Sequence, residues 1–167
     1  MSFSLLPSVI CNSVTDLSAT YLEQHGVKLL MLDFDNTIVP YTTNIPNEQM
    51  LAWLDEMKHS TIRICIVSNS RKPRVKEFCA KYDIDCITHA KKPFSKGIRQ
   101  GVECYALKPT DCALAGDQIF TDVLGANCCG VRSILVKAID NHNFWLKARH
   151  ALELPFIFAA KKRRIEL

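Results

Sequence analysis

Short apolar runs of strand length alternate with segments of helical periodicity along most of this chain, and this alternation is the feature that most constrains its fold. The strand-like runs span residues 27–33, 62–67, 85–88, 111–115 and 131–136. The segments between them carry apolar residues at three- and four-residue spacing, as amphipathic helices do. Strands joined through helices pair in parallel by right-handed crossovers. The alternation therefore predicts an α/β fold in which a doubly wound parallel sheet lies between two layers of helices.

The helices are predicted to cover residues 14–24, a segment capped by Asn47, and residues 71–82, 94–107 and 120–128. A chain of 167 residues is long enough for one domain with a sizeable core. We expect that domain to occupy residues 1–140. Residues 141–167 mix aromatic and basic side chains, and we expect them to form a helical tail.

The composition argues against a disordered, nucleic-acid-binding or membrane-spanning chain. Hydrophobic residues make up 48% and charged residues 23% of the sequence, which is ordinary for a globular protein. The net charge of +4 is mild and comes partly from the basic residues 161–164, so no nucleic-acid partner is predicted. No run approaches the roughly 18 apolar residues of a spanning helix, and the first residues lack the pattern of an export signal.

The eight cysteines do not indicate a metal site, because none forms a CxxC pair with ligand-like spacing. Cys65 and Cys112 lie within apolar, strand-like runs. Free thiols in such places behave as small buried hydrophobic groups in a reducing compartment. We therefore expect a cytoplasmic protein.

Polar side chains follow four of the predicted strands where each one ends. The first strand ends in two carboxylates of the same face, and the others are followed by a hydroxyl, a cation and two more acids: Asp33, Asp35, Ser68, Lys92, Asp117 and Asp122. Taken singly, Ser68, Lys92 and Asp117 are equally well explained as a turn former, a solvated charge and a helix cap, and Asp33 and Asp35 have the alternative of a capped turn that faces water. Ligands of parallel sheets, however, bind beyond the carboxyl ends of the strands, and neighbouring carboxylates favour a bound cation such as Mg2+. Together these residues predict a magnesium-assisted site at that edge.

These polar segments resemble the four motifs of the haloacid dehalogenase (HAD) superfamily of phosphohydrolases. They read Asp33-Phe34-Asp35-Asn36-Thr37, Ser68-Asn69, Lys92-Pro93 and Gly116-Asp117-Gln118-Ile119-Phe120-Thr121-Asp122. The resemblance covers residues 28–137 and implies a Rossmann-like HAD core. The Lys-Pro pair and the Gly-Asp-Gln segment look like those of the subfamily IIIA phosphatases, the branch that includes the mitochondrial phosphatidylglycerophosphatases and their small bacterial relatives.

The resemblance implies a Mg2+-dependent phosphomonoester hydrolase with an aspartyl-phosphate intermediate. Asp33 would be the nucleophile and Asp35 the general acid and base, with Lys92 as the third catalytic residue. Asp33, the backbone carbonyl of Asp35, and Asp117 would hold the Mg2+ ion. Asp122 would orient a metal-bound water or Lys92.

The phosphoryl group would be bound by a set of hydroxyl, amide and ammonium groups: Thr37, Ser68, the backbone of Asn69, and Lys92. Lys91 is a second candidate for the cation. Lys92 is preferred because it carries the Lys-Pro pairing of the family.

The spacing of the motifs predicts that no cap domain is present. A loop, one helix and a strand fill the interval between Thr37 and Ser68, and a helix and a short strand fill the next one. An open site can accept a phosphate on something large, such as a phospholipid head group, or borrow a lid from a partner subunit. The tail could bring such a site to an anionic membrane as a peripheral contact, which favours phosphatidylglycerophosphate as substrate, although a tail packed on the body explains it equally well.

Two alternatives stand beside the lipid phosphatase. One is a soluble phosphatase for nucleotides or small sugar phosphates. The other is a non-catalytic phosphoacceptor or interaction module. A receiver-like phosphoacceptor places its phosphorylated Asp after the third strand, but here that strand is followed by Thr88-His89-Ala90 with no acid.

Overall fold

A six-stranded, wholly parallel sheet forms the centre of the computed structural model, which describes residues 3–140 and 153–159. In spatial order the strands are β1, β6, β5, β2, β3 and β4. Their bounds are β1 Val9–Cys11, β2 Leu29–Leu32, β3 Arg63–Val67, β4 Asp85–Ile87, β5 Cys112–Gly116 and β6 Arg132–Val136. The predicted α/β class and parallel pairing are confirmed.

Five helices connect the strands: α1 Ala19–Gln24, α2 Glu48–Lys58, α3 Pro73–Tyr82, α4 Ser95–Cys104 and α5 Leu124–Cys129. Asn47 caps α2, its side-chain oxygen accepting a hydrogen bond from the Met50 N–H at 2.8 Å. A π-helical turn, Ile119–Val123, leads directly into α5. The expected tail lies outside the described residues except for residues 153–159, which are helical.

The central strand β2 is buried on both faces. Leu30 and Leu32 pack with α2 and α3 on one side, whereas Leu29 and Met31 pack with α4 and α5 on the other. A strand covered on both faces reads as a continuous apolar run rather than an alternating one. Burial on both faces explains why residues 29–32 are all apolar. The helices that cover the two faces confirm the predicted three-layer arrangement.

The first residues depart from the prediction in two ways. Residues 14–24 do not form one helix: a 3-10 turn, Val14–Asp16, is followed by a break and then by α1, with Ser13 and Ser18 as separate N-caps. The unpredicted strand β1 adds an edge to the sheet by pairing with β6. Three residues are too few to show a periodicity, so the pairing partner rather than the local sequence makes this segment a strand.

The intervals between the polar segments hold only the expected elements. The 36–47 loop, α2 and β3 separate Thr37 from Ser68, and α3 and β4 lead from there to Lys92. No cap domain is inserted in these described intervals. Within the part of the chain that the structure describes, no helix has both the length and the apolar character that crossing a bilayer requires.

Candidate active site

The polar segments converge at the carboxyl edge of four adjacent strands. Asp33 follows β2, Ser68 follows β3, Lys92 lies in the loop after β4, and Asp117 follows β5. Because these strands are neighbours in the order β5, β2, β3, β4, their ends lie side by side. All four side chains are buried, as is that of Asp122. A buried group of charges in a small protein requires mutual compensation.

Lys92 supplies that compensation. Its Nζ lies 2.7 Å from Asp33 Oδ1 and 2.7 Å from Asp122 Oδ1. Burial by itself lowers the pKa of Lys92, but the charges and hydrogen bonds of Asp122 and Asp33 outweigh it, and the net pKa is raised. The side chain therefore stays an ammonium ion. The neighbouring Lys91, the other candidate, is exposed.

The backbone of Lys92 is held in place by Asn69. The Asn69 Nδ2 donates to the Lys92 carbonyl at 2.9 Å, and the Lys92 N–H donates to Asn69 Oδ1 at 2.7 Å. The side chain of Asn69 therefore positions Lys92, and the expected phosphate contact of this residue is left to its backbone N–H. On the other side of the loop, a Cβ at Gly97 would lie 2.5 Å from Ala90 Cβ, so α4 packs directly against the segment that carries Lys92.

Burial and the neighbouring charge of Lys92 act in opposite directions on the pKa of the Asp33 carboxyl group. Burial raises its pKa to about 6, the Lys92 ammonium opposes the rise, and the Asp122 carboxylate adds to it. The Asp33 N–H donates to the Ala115 carbonyl at 2.9 Å, which attaches the residue to β5. The ion pair with Lys92 is thus what favours the charged form.

Three carboxylates form a cluster suited to a divalent cation. Asp33, Asp117 and Asp122 each offer one oxygen, and these oxygens lie within 4.8 Å of one another. Three acids against one lysine leave an excess of negative charge, and hard oxygen donors suit Mg2+, so the residues fit that ion. Both oxygens of Asp122 are engaged, Oδ1 by Lys92 and Oδ2 by the Gln118 N–H. Asp33 and Asp117 are therefore the better ligands.

The turn after β5 shapes this cluster. The carbonyl of Gln118 accepts from the N–H groups of both Asp122 and Val123, which produces the π-helical turn. The Gln118 side chain donates to Asp117 Oδ1 at 3.3 Å and accepts from Thr121 Oγ1 at 3.2 Å. A Cβ at Gly116 would lie 2.3 Å from Asp122 Oδ2, so only glycine fits there. The sequence analysis had assigned no role to Gln118.

Asp35 belongs to a different ion pair. Its Oδ1 lies 3.3 Å from Arg74 NH1 on α3. Among the described residues, the carboxylate cluster suited to a divalent cation does not include Asp35. Burial raises the pKa of Asp35, and the charges of Arg74, Lys72 and Lys92 oppose the rise. The carboxylates of Asp35 and Asp33 thus contact different cations, Arg74 and Lys92.

Arg74 was missed by the sequence analysis. Its guanidinium donates to the carbonyls of Pro40, Tyr41 and Thr43 at 2.8–3.1 Å and lies 5.2 Å from the centre of the Phe34 ring. It therefore ties the loop after β2 to α3. The position of Arg74 in the sequence could have indicated its role. A cation in the first turn of a helix is disfavoured by the helix dipole, so it is expected to find hydrogen-bond acceptors outside that helix.

Two hydroxyl groups line the same edge. The Thr37 Oγ1 is buried and has no hydrogen-bond partner. The Ser68 Oγ accepts from the Ser70 N–H at 3.1 Å, which leaves its own proton to donate. A buried hydroxyl without a partner is costly, and a bound oxyanion would satisfy it.

Asn36 connects this edge to the end of β6. It adopts a positive φ of 68°, which asparagine tolerates better than most residues. Its side chain accepts from the Asp140 N–H at 3.0 Å and donates to the Asp140 carbonyl, while its own carbonyl accepts from Ile139 at 3.0 Å. The asparagine at position 36 of the motif thus has a structural role, which the sequence alone did not predict.

Sequence comparison identifies relatives over almost the whole chain. The family model described as "Mitochondrial PGP phosphatase" matches residues 2–139. The "Probable phosphatase YqeG" of Bacillus subtilis (strain 168) is 32% identical over 159 residues, which cover 95% of this chain and 92% of that protein.

Structure comparison identifies the same fold. A HAD-superfamily hydrolase from Ehrlichia chaffeensis has a TM-score of 0.57 at 14% identity, over 78% of this chain and 98% of its own. A HAD-superfamily hydrolase of subfamily III A from Legionella pneumophila has a TM-score of 0.56 at 14% identity, over 86% of this chain and 90% of its own. At such low identity these likenesses concern the fold alone.

Proposed function

The chain belongs to the mitochondrial PGP phosphatase family and is a phosphatase of the HAD superfamily, and from this premise we propose that it hydrolyses a phosphate monoester on a phospholipid head group, with phosphatidylglycerophosphate as the favoured substrate. The observation that carries the mechanism is the position of Lys92 Nζ, 2.7 Å from the carboxylates of both Asp33 and Asp122. This contact gives Asp33 the charge that a nucleophile needs and places a cation where phosphoryl oxygens would lie.

In the first half-reaction, a carboxylate oxygen of Asp33 attacks phosphorus and the bond to the substrate alcohol breaks. Asp35 gives its proton to the leaving oxygen. The products are an aspartyl-phosphate on Asp33 and the free alcohol. The raised pKa of Asp35 supports this role, because a protonated carboxyl must be present at the start.

In the second half-reaction, water attacks the phosphorus of the aspartyl-phosphate. Asp35, now ionised, accepts a proton from that water, and Asp33 is released with inorganic phosphate. The phosphoryl oxygens would be bound by the hydroxyls of Thr37 and Ser68, the backbone N–H of Asn69, and the Lys92 ammonium. Donors fixed in a buried site stabilise developing charge better than water does.

Asp33, Asp117 and the backbone carbonyl of Asp35 would hold Mg2+, which when bound supplies charge neutralisation at the phosphoryl oxygens. The close carboxylate cluster supports this assignment. Asp122 would act indirectly by orienting Lys92, which it contacts, or a metal-bound water.

The lipid head group is favoured by the open site and by its surroundings. Exposed apolar side chains stand on two loops that also carry site residues: Tyr41 on the loop of Thr37 and Phe94 on the loop of Lys92. Such side chains next to an uncapped site suit a membrane interface. We propose that residues 1–140 form the phosphatase domain and that residues 141–167 add a peripheral membrane contact.

Phosphate release tests the proposal. The panel contains phosphatidylglycerophosphate in mixed micelles, a nucleoside monophosphate, a sugar phosphate and p-nitrophenyl phosphate, each with Mg2+ or with EDTA. Preference for the lipid, lost in EDTA and in Asp33→Asn but kept in the surface control Asp55→Asn, is the expected result. Turnover of only the small esters would keep the mechanism and replace the lipid by a soluble substrate. Activity that survives in Asp33→Asn would refute the assignment of the nucleophile.

A further inference from the structure

A groove of about 440 Å³ is lined by Asp117, one of the three clustered acids, and by residues at the carboxyl ends of β6 and β1. Ile10 and Leu135 form part of its floor, and the short helix of residues 153–159 supplies a wall through Leu154, Ile157 and Phe158. The volume is in the range of about 300–1,000 Å³ that is usual for small-molecule sites. We call this feature the β1–β6 groove.

The wall of the groove is attached to the turn that carries the metal-site acids. Glu153 Oε1 accepts a hydrogen bond from the Ile119 N–H at 3.0 Å, two residues after Asp117. The rings of Phe156 and Phe120 meet edge to face with their centres 6.1 Å apart. The groove and the catalytic edge are therefore parts of one packed unit.

The lining of the groove combines two kinds of chemistry. It includes the buried Asp117, whereas Leu154 and Phe158 are apolar and 50% and 73% exposed. Large apolar side chains that remain so exposed gain free energy when an apolar ligand covers them. A nucleotide or a sugar would leave these walls unmatched. An ester whose phosphate lies at Asp33 and which carries a hydrocarbon chain beyond its polar head group matches both parts of this lining.

We propose that the β1–β6 groove binds the hydrocarbon chain of the substrate while its phosphate occupies the catalytic edge. This inference rests on the proposed function and adds to it a specificity site for the apolar part of the ester. The exposed Lys137 lies on the same rim, so the charge of an anionic substrate is matched as well.

A series of unbranched alkyl phosphates, from ethyl to decyl and below their micellar concentrations, tests the groove. The reacting bond is the same in every member, so differences in kcat/KM report contacts with the chain. In the wild type we expect kcat/KM to rise about two- to fourfold per added methylene until the groove is filled, as for burial of a methylene. The double variant L154S/F158S should lower the octyl-to-ethyl ratio at least about tenfold.

The matched control is F3S/L51S, which also replaces one exposed phenylalanine and one exposed leucine but lies outside the groove. It should keep the wild-type ratio. Calorimetric binding of alkylphosphonates of the same lengths, which cannot be hydrolysed, measures the groove independently of the chemistry. Binding should tighten with chain length in the wild type and much less in L154S/F158S.

The outcomes separate the two proposals. A wild-type ratio near one with active hydrolysis of ethyl phosphate would overturn the groove and keep the phosphatase mechanism. Hydrolysis of none of these esters and of no substrate in the phosphate-release panel, together with phosphonate binding that still tightens with chain length, would reject the proposed function and keep the groove. If L154S/F158S left the octyl-to-ethyl ratio unchanged, the hydrocarbon chain of the substrate would bind outside the groove, and the proposal would be overturned. A dimer seen by sedimentation and lost in L154S/F158S, without any chain-length effect, would reassign the groove to a subunit interface.

Discussion

Asp33 and Asp35 stand two positions apart on one loop, yet their carboxylates lie in different surroundings. Asp33 pairs with Lys92, which is 1% exposed and also pairs with the buried Asp122. Asp35 pairs with Arg74, and both of these side chains are partly exposed. Arg74 in turn holds the loop of residues 40–43. The core thus holds the proposed nucleophile in one geometry, while a surface loop holds the proposed acid and base near water.

The largest effect is expected when Lys92 is removed from its buried ion pair with Asp33 and Asp122. In Lys92→Met, Asp33 and Asp122 would face each other in the core without a cation. Removing one partner of a buried ion pair costs about 3–5 kcal/mol, and loss of the cation at the phosphoryl group should lower kcat by about 1,000-fold. Urea unfolding and phosphate release measure the two effects. Lys91→Met, at the exposed neighbour, should change neither, and equal unfolding midpoints for both variants would contradict the proposed arrangement.

An intermediate effect is expected at Asp35. Asp35→Asn keeps the size of the side chain and removes its proton chemistry, so hydrolysis of an alkyl phosphate should fall by about 10²–10⁴-fold. p-Nitrophenyl phosphate has a leaving group that needs no proton, so its first turnover should be much less affected. A burst of nitrophenol followed by a slow steady state would show that the aspartyl-phosphate accumulates when the base is missing. Equal losses on both substrates, with no burst, would argue against the acid and base role.

The smallest expected effect comes from loosening the loop that supports Asp35. Arg74→Lys keeps the positive charge but loses the planar fork that reaches three carbonyls and stacks on Phe34. We expect kcat/KM to fall about tenfold and the amides of residues 41–43 to exchange faster with solvent, with little change in the free energy of unfolding. Arg71→Lys, at the exposed neighbour, is the control. Unchanged amide exchange in Arg74→Lys would mean that this loop is held by other contacts.

The elements that could be predicted are those whose signal is local. The apolar run of β2 and the periodic spacing in α2 and α3 are visible in the sequence alone, and the structure places these elements within a few residues of the predicted bounds. Strand β1 could not be found in this way, because three residues become a strand only through pairing with β6. The break between the 3-10 turn and α1 depends on two serine caps that a periodicity over residues 14–24 does not reveal.

The residues of the candidate site also fall into those that could be predicted from the sequence and those that could not. Asp33, Ser68, Lys92 and Asp117 could be named from the sequence because each follows a strand, and parallel strands end at one edge of the sheet. The supporting roles of other side chains could not be predicted, because they depend on partners far away in the chain. Asn69 holds the backbone of Lys92, Arg74 holds Asp35, and Glu153 holds Ile119.

By itself, the sequence of this phosphatase determined which polar side chains stand at the ends of which strands and predicted that they carry the chemistry, because strand periodicity and motif spacing are local properties of the chain. Only the tertiary structure decided that Lys92 lies between Asp33 and Asp122, that Asp35 belongs to a separate ion pair, and that Asp117 lines an apolar groove. The physical reason is the strand order. It brings together residues that are remote in the chain, and charge, burial and hydrogen bonding act over distances of a few ångströms, which the order of residues does not specify.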